Sequence, residues 1–213
     1  MTIQAVFFDV GGTLVDETRM FHLWADWLRV ERSAFMAAIG ATIALEQSHR
    51  RVFDMVAPGI DIAAEHRARQ QTGHRYRIEP QDLYPDVAAC LAACKNAGLI
   101  VGIAGNQPEE AEPALQACGL VYDHLASSAR WGVTKPDPAF FARIIEEAGL
   151  RAEQIAYVGD RVDNDVLPAI AAGMTAILLV RGPWGVIQAQ WPGAGHAHHI
   201  IRDLTELPPL LTR

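Results

Sequence analysis

The stretch AVFFDVGGTLVDE, residues 5–17, runs from four apolar residues into an aspartate and then a pair of glycines. An unbroken apolar run of this kind fits a strand buried on both faces, as in a parallel sheet. Gly11 and Gly12 then favour a turn, which leaves Asp9 at the strand's carboxyl end. Open parallel sheets bind ligands in the crevice beyond those ends. A carboxylate there is a candidate for chemistry, yet Gly11, two residues on, offers no side chain.

Further along the chain, four helical segments close on glycine followed by an apolar residue: Gly98-Leu99, Gly119-Leu120, Gly149-Leu150 and Gly173-Met174. Glycine suits the left-handed residue that ends a helix, and the next apolar side chain packs back on it. Short apolar runs follow most of these points, at LIVGIAG (99–105), IAYVGD (155–160) and TAILLV (175–180). HHIIRDLTELPPLL closes the chain as a short strand and a helix. Alternation on this scale predicts βαβ units, hence a three-layer α/β fold with a Rossmann-like parallel sheet. Residues 16–83 break the rhythm. Met20, Phe21, Trp24, Trp27 and Leu28 stripe one helix there, and Phe35, Met36, Ile39 and Ile43 stripe the next. The expectation is therefore a sheet domain of residues 1–15 and 84–213, carrying an inserted all-helical domain of residues 16–83. The insert leaves from the loop that holds Asp9, a position suited to a lid.

Composition narrows the function. The chain has 213 residues, half of them apolar, and a net charge of −7 with no basic block. Nucleic acid as the main partner is disfavoured, because phosphate-backbone binding needs clustered lysine and arginine. No apolar run reaches the roughly 20 residues of a membrane-spanning helix, and no signal-like leader is visible. With three cysteines (Cys90, Cys94, Cys118), two of them one helical turn apart, the reading is a cytoplasmic protein with core thiols. The sequence does not indicate an oligomeric state.

Asp9, Asn106 and Asp160 stand at predicted strand ends, and Lys135 precedes a helix in GVTKPDPAFF. Asp160 opens GDRVDND, so Asp163 and Asp165 lie close. Several acids and one lysine in one crevice are costly without a cation, and a hard, oxygen-seeking ion such as Mg²⁺ is the natural neutraliser. The lysine would balance Asp9 and an incoming phosphate. Asp137 and Asp163 read better as helix-start residues. His196, His198 and His199 read as a surface loop, and Trp184 and Trp191 as packing residues. The arginines Arg50, Arg51, Arg67, Arg69, Arg75 and Arg77 read as a solvated helical face.

This arrangement resembles the haloacid dehalogenase-like hydrolases, in the subgroup with a helical cap after the first motif. FFDVGGTL, VGIAGNQ, Lys135 in TKPDPAFF and VGDRVDNDVLPAIAAGM match the four motifs in order. The resemblance implies that Asp9 is the nucleophile, forming an aspartyl-phosphate. It implies Mg²⁺ held by Asp9, Asp160 and the carbonyl of Gly11, with Asp165 supporting the metal's waters. Gly105, Asn106 and Lys135 would bind the phosphate, with Asn106 and Lys135 also contributing to catalysis. Family phosphatases carry Asp where Gly11 stands and Ser or Thr where Gly105 stands. A missing acid–base group costs about 10²–10⁴-fold, and a missing charge-stabilising donor about 10²–10³-fold. Asp16, Glu17 and His22 are candidates to replace the acid.

The function expected is a Mg²⁺-dependent phosphatase acting, with weakened acid–base chemistry, on a small phosphorylated metabolite. The alternatives are a phosphometabolite- or partner-binding protein and, less favoured, a 2-haloacid dehalogenase. Phosphonatases also carry a small residue at the position of Gly11 but need a cap lysine. The only lysines here are Lys95 and Lys135, both outside residues 16–83.

Overall fold

The computed structural model describes residues 2–212. It divides into two compact units, one running up to Asp16 and resuming at Ile78, the other Glu17–Arg77.

The first unit holds six strands: β1 (Ala5–Phe8), β2 (Ile100–Gly105), β3 (His124–Ser127), β4 (Ile155–Gly159), β5 (Thr175–Leu179) and β6 (His199–Ile201). They form one sheet in the order β3-β2-β1-β4-β5-β6, and every neighbouring pair is parallel. Strand periodicity sorts the side chains between two layers. Val6, Phe8, Val101, Ile103, Val158 and Ile177 pack with Leu91 and Cys94 of the helix Val87–Asn96 and with the closing helix Leu207–Leu211. Ala5, Phe7, Tyr157, Ala176 and Leu178 pack on the other face, against Phe140, Phe141 and Ile144 of the helix Pro138–Ala148. The three-layer α/β architecture is thus the one the alternation predicts. Gly98, Gly119, Gly149 and Gly173 all have positive φ, as expected of helix-ending glycines.

β1 is the switch point of the sheet: the chain runs outward from it to β2 and β3 on one side and to β4, β5 and β6 on the other. The carboxyl ends of β1, β2 and β4 therefore border a single crevice. β3 adds to the expected strands. His124-Leu125-Ala126-Ser127 is a four-residue edge strand, its first two residues half-buried, so it lacks the apolar run that marks the others.

The unit Glu17–Arg77 contains four helices, Thr18–Leu28, Arg32–Ala44, Arg51–Val56 and Ile62–Gln71, and no strand. Phe21 and Trp24 of the first expected stripe are buried, as are Phe35, Ile39 and Ile43 of the second. Residues 78–83 and Asp16, assigned from sequence to the insert, group instead with the sheet unit. Backbone pairing explains this correction. Val15 bridges Leu83, the Asp16 N–H donates to the Asp82 carbonyl at 2.7 Å, and the Tyr84 N–H donates to the Leu14 carbonyl at 3.1 Å. Among the described residues no helix is long and apolar enough to cross a membrane.

Candidate active site

Each polar residue of the crevice is placed by the end of a strand. β1 ends at Phe8, and the chain turns at once: the Leu14 and Val15 N–H groups both donate to the Val10 carbonyl, at 2.9 and 2.8 Å. Asp9 sits at the start of this turn and is 7% exposed. Gly12 has φ +69°, and a Cβ on it would overlap Asp160 Oδ2, so only glycine lets the turn lie against that carboxylate. After β4, Asp160 leads into one wide turn, Val162–Val166, in which the Asp165 and Val166 N–H groups both reach the Arg161 carbonyl at 3.0 Å. That turn carries Asp165 back over the strand end.

Lys135 links the two loops. Its Nζ lies 2.7 Å from Asp9 Oδ1 and 2.5 Å from Asp165 Oδ1. Phe140 and Tyr157 present ring faces to the ammonium, with centroids 5.9 and 5.4 Å away. Burial alone would push the lysine's pKa down. The carboxylates of Asp165 and Asp9 outweigh it and hold the pKa well above the ordinary lysine value, so the ammonium stays charged. Asp165 is fully buried, and burial pushes its pKa up to about 6 against the pull of Lys135. Burial also drives the Tyr157 phenol well above its usual range. The phenol remains a neutral donor, 2.9 Å from the Ala104 carbonyl.

Asp9, Asp160 and Asp165 bring one carboxylate oxygen each within 4.8 Å of one another, the only such acid, histidine or cysteine group among the described residues. An all-carboxylate, buried oxygen set suits a hard divalent cation. Both oxygens of Asp165 are committed, Oδ1 to Lys135 and Oδ2 to the Arg161 N–H at 2.9 Å. Asp9 and Asp160 are then the acids better able to take a cation, with Asp165 supporting from behind.

The other predicted residues fall in several places. Asn106 follows β2, but its side-chain amide bridges the backbone of Lys135. Nδ2 donates to the Lys135 carbonyl at 2.9 Å and Oδ1 accepts from the Lys135 N–H at 2.8 Å. This clamp makes Asn106 a positioning residue for Lys135, a role its place at the strand end did not disclose. At Gly105 a Cβ would stand 2.5 Å from Asp9 Oδ1. The space of a side chain there is filled by the Asp9 carboxylate itself. Gly11 pairs with Val15 inside the β1 turn. Asp16 ends the sheet unit's first segment, whereas Glu17 and His22 belong to the helical unit, before and within the helix Thr18–Leu28.

Asp137 caps its helix by accepting from the Ala139 N–H at 2.9 Å, as read from sequence, whereas Asp163 lies in the first turn of Val162–Val166 and is held by the Arg161 guanidinium at 3.0 and 2.7 Å, a pairing the sequence reading did not include. His198 Nδ1 accepts from the Ala176 N–H at 3.0 Å. Trp184 is buried. Arg69 departs from its expected solvated face and is 4% exposed.

Residues 3–173 match the model of the haloacid dehalogenase-like hydrolase family. The chain is 30% identical over 211 residues to a phosphoglycolate phosphatase of Vibrio cholerae, covering 85% of this chain and 86% of that protein. It is 30% identical over 135 residues to the haloacid dehalogenase-like hydrolase domain-containing protein 3 of Danio rerio, covering 62% of this chain and 54% of the relative, so the match spans about half that relative's length. A solved dehalogenase structure, described as an intermediate complex, superposes with a TM-score of 0.69 at 23% identity, covering 100% of this chain and 98% of that one. At that identity it speaks for the fold alone. With four motif regions in order around one buried acid–lysine cluster, the chain belongs to the haloacid dehalogenase-like hydrolases.

Proposed function

We propose that the chain is a Mg²⁺-dependent phosphatase that hydrolyses a small phosphorylated metabolite through Asp9. The observation that carries this reading is the buried Lys135 ammonium between the carboxylates of Asp9 and Asp165, with Asp160 beside them. The phosphatase name of the Vibrio cholerae relative supports it.

In this scheme an Asp9 carboxylate oxygen attacks phosphorus, and the bond from phosphorus to the substrate oxygen breaks. The leaving oxygen takes a proton from water or from a side chain. Water then attacks the phosphorus of the aspartyl-phosphate, regenerating Asp9 and releasing phosphate. Lys135 holds Asp9 oriented and offsets the phosphoryl charge, Asn106 fixes Lys135, and Asp165 holds the ammonium from the other side. Asp9, Asp160 and the Gly11 carbonyl would hold Mg²⁺, whose role is to draw off negative charge from the phosphoryl oxygens.

Departure of the leaving group is the demanding step, since Gly11 supplies no acid. Asp16, Glu17 and His22 are the candidates to replace it. Hydrolysis of p-nitrophenyl phosphate, whose leaving group needs no proton, tests the core of the proposal. Slow Mg²⁺-dependent release is expected, lost in Asp9→Asn and with EDTA. Full activity in Asp9→Asn would rule the scheme out.

Gly11 and Gly105 favour a second reading, a protein that holds a phosphometabolite or a partner without turnover. Under that reading acetyl phosphate or a fluorophosphate analogue occupies the site in a metal-dependent way and no phosphate is released. Dehalogenation, the least favoured reading, would show as halide release from 2-chloropropionate in EDTA.

A further inference from the structure

The helix Gly182–Gln188, which follows β5, meets the loop that carries Asp160 and Asp165 at three points. At its start Gly182 lies beside Asp160: a Cβ on it would stand 3.9 Å from Asp160 Oδ2 and 3.5 Å from the Gly12 Cα. Further on, the Trp184 ring faces the Arg161 guanidinium, whose central carbon is 5.6 Å from the ring centroid. At its last residue the buried Gln188 accepts, through Oε1, from the Val162 N–H at 2.6 Å. The helix is anchored from the opposite side as well. Arg181 grips both oxygens of Asp86 at 2.9 and 2.7 Å, with its central carbon 4.3 Å from the Tyr84 ring centroid. Asp86 also accepts from the Leu204 N–H at 2.8 Å.

The loop satisfies much of its own backbone. The Asp165 and Val166 N–H groups reach the Arg161 carbonyl, and Asp165 Oδ2 takes the Arg161 N–H. The buried Val162 N–H is the one that looks outside the loop, to Gln188. A buried N–H left without an acceptor is costly, so a loop that lost Gln188 would shift to find another. Val162 stands between Asp160 and Asp165 in the chain, and such a shift moves both acids. Burial raises the Asp163 pKa, but the Arg161 guanidinium and the Gln188 amide more than offset it. The amide is thus engaged at both ends.

We propose that Gln188 is a positioning residue for the cation-holding acids and sets how tightly Asp160 and its neighbours bind a divalent cation. The inference rests on the Mg²⁺ reading above and concerns the affinity of that site. Side chains that support a metal's ligands from behind typically change affinity by about 10–100-fold.

The test measures Mn²⁺ binding to the full chain without substrate, from the free-ion signal in electron paramagnetic resonance. Gln188→Met fills similar space without an acceptor and should raise the dissociation constant about tenfold. Gln188→Glu keeps an oxygen for the Val162 N–H and should bind at least as tightly as the wild type. Leu115→Ala opens a cavity in the helix Ala111–Ala117, beside the edge strand β3, and should lower stability while leaving the constant unchanged. The wild type gives a second readout that needs no substitution. If Gln188 tightens cation binding, the cation tightens the Gln188 contact, so Mg²⁺ should slow hydrogen exchange at the Val162 amide, followed by NMR. An unchanged constant in folded Gln188→Met, equal weakening in Gln188→Glu or Leu115→Ala, or Val162 exchange that Mg²⁺ does not slow would overturn the proposal and leave the Mg²⁺ reading standing. A wild type that binds neither ion would overturn both.

Discussion

The end of β4 and the ends of β1 and β2 face the same crevice and are built differently. At β4 the side chains are large, charged and tied down: Asp165 is fixed by Lys135 and by the Arg161 N–H, and Asp163 is held by Arg161. At β1 and β2 two of the positions nearest Asp9 are glycines, and the Asp9 carboxylate leans into the space left at Gly105. The charge-holding half of the site is complete, whereas the half that would move protons and contact the phosphoryl group carries fewer side chains. Electrostatic assembly of a site and acid–base chemistry within it are separable properties.

The largest expected effect concerns the charge-holding half. Lys135→Met leaves Asp9 and Asp165 buried without their counter-ion and should cost about 3–5 kcal/mol in urea unfolding without metal. Asp163→Asn, on a partly exposed pair, should change stability by less than about 1 kcal/mol. The lost lysine was pulling the Asp165 pKa down, so in Lys135→Met it climbs further. A carboxyl whose folded pKa lies above its unfolded value loses stability as pH rises from the unfolded pKa through the folded one. The defect should therefore deepen toward alkaline pH and shrink on acidification. A defect independent of pH would contradict the assignment of charges.

On the sparse side, Gly11→Asp should restore an acid. Turnover of an alkyl phosphate should rise by about 10²-fold, with little change for p-nitrophenyl phosphate; equal gains on both would mean that proton donation is not what is missing. Gly105→Ser should work the other way from intuition. Its Cβ cannot coexist with Asp9 Oδ1 at 2.5 Å, so Asp9 is displaced from Lys135 and turnover should fall by about tenfold despite the added hydroxyl. Faster hydrolysis in Gly105→Ser would show that Asp9 has another working position. Tyr157→Phe, which removes one buried hydrogen bond to the Ala104 carbonyl, should cost about 1 kcal/mol in the same unfolding assay, between the expected losses for Lys135→Met and Asp163→Asn.

The sheet was legible in the sequence wherever burial on both faces leaves an unbroken apolar run, as at β1, β4 and β5, and wherever glycine ends a helix. β3 was not, because an edge strand of four residues carries no such run. Asp9, Lys135, Asp160 and Asp165 could be picked out as charged residues at or near strand ends and helix starts, and topology alone brings those places together. The engagement of Asn106 with the backbone of Lys135 could not, because it depends on a contact across 29 residues. Arg69 is the clearest miss. Its local sequence, EHRARQQ, reads as a solvated face, and the ring that covers it, Trp24, belongs to a different helix.

The central claim is that Asp9 attacks phosphorus while Lys135 holds it in place. Acid quenching during Mg²⁺-supported turnover of acetyl phosphate, followed by peptide mapping in a mass spectrometer, tests it most directly. The account predicts a phosphoryl adduct confined to Asp9 and absent when EDTA is present. Phosphate release that continues in Asp9→Asn with no adduct on any carboxylate would contradict it.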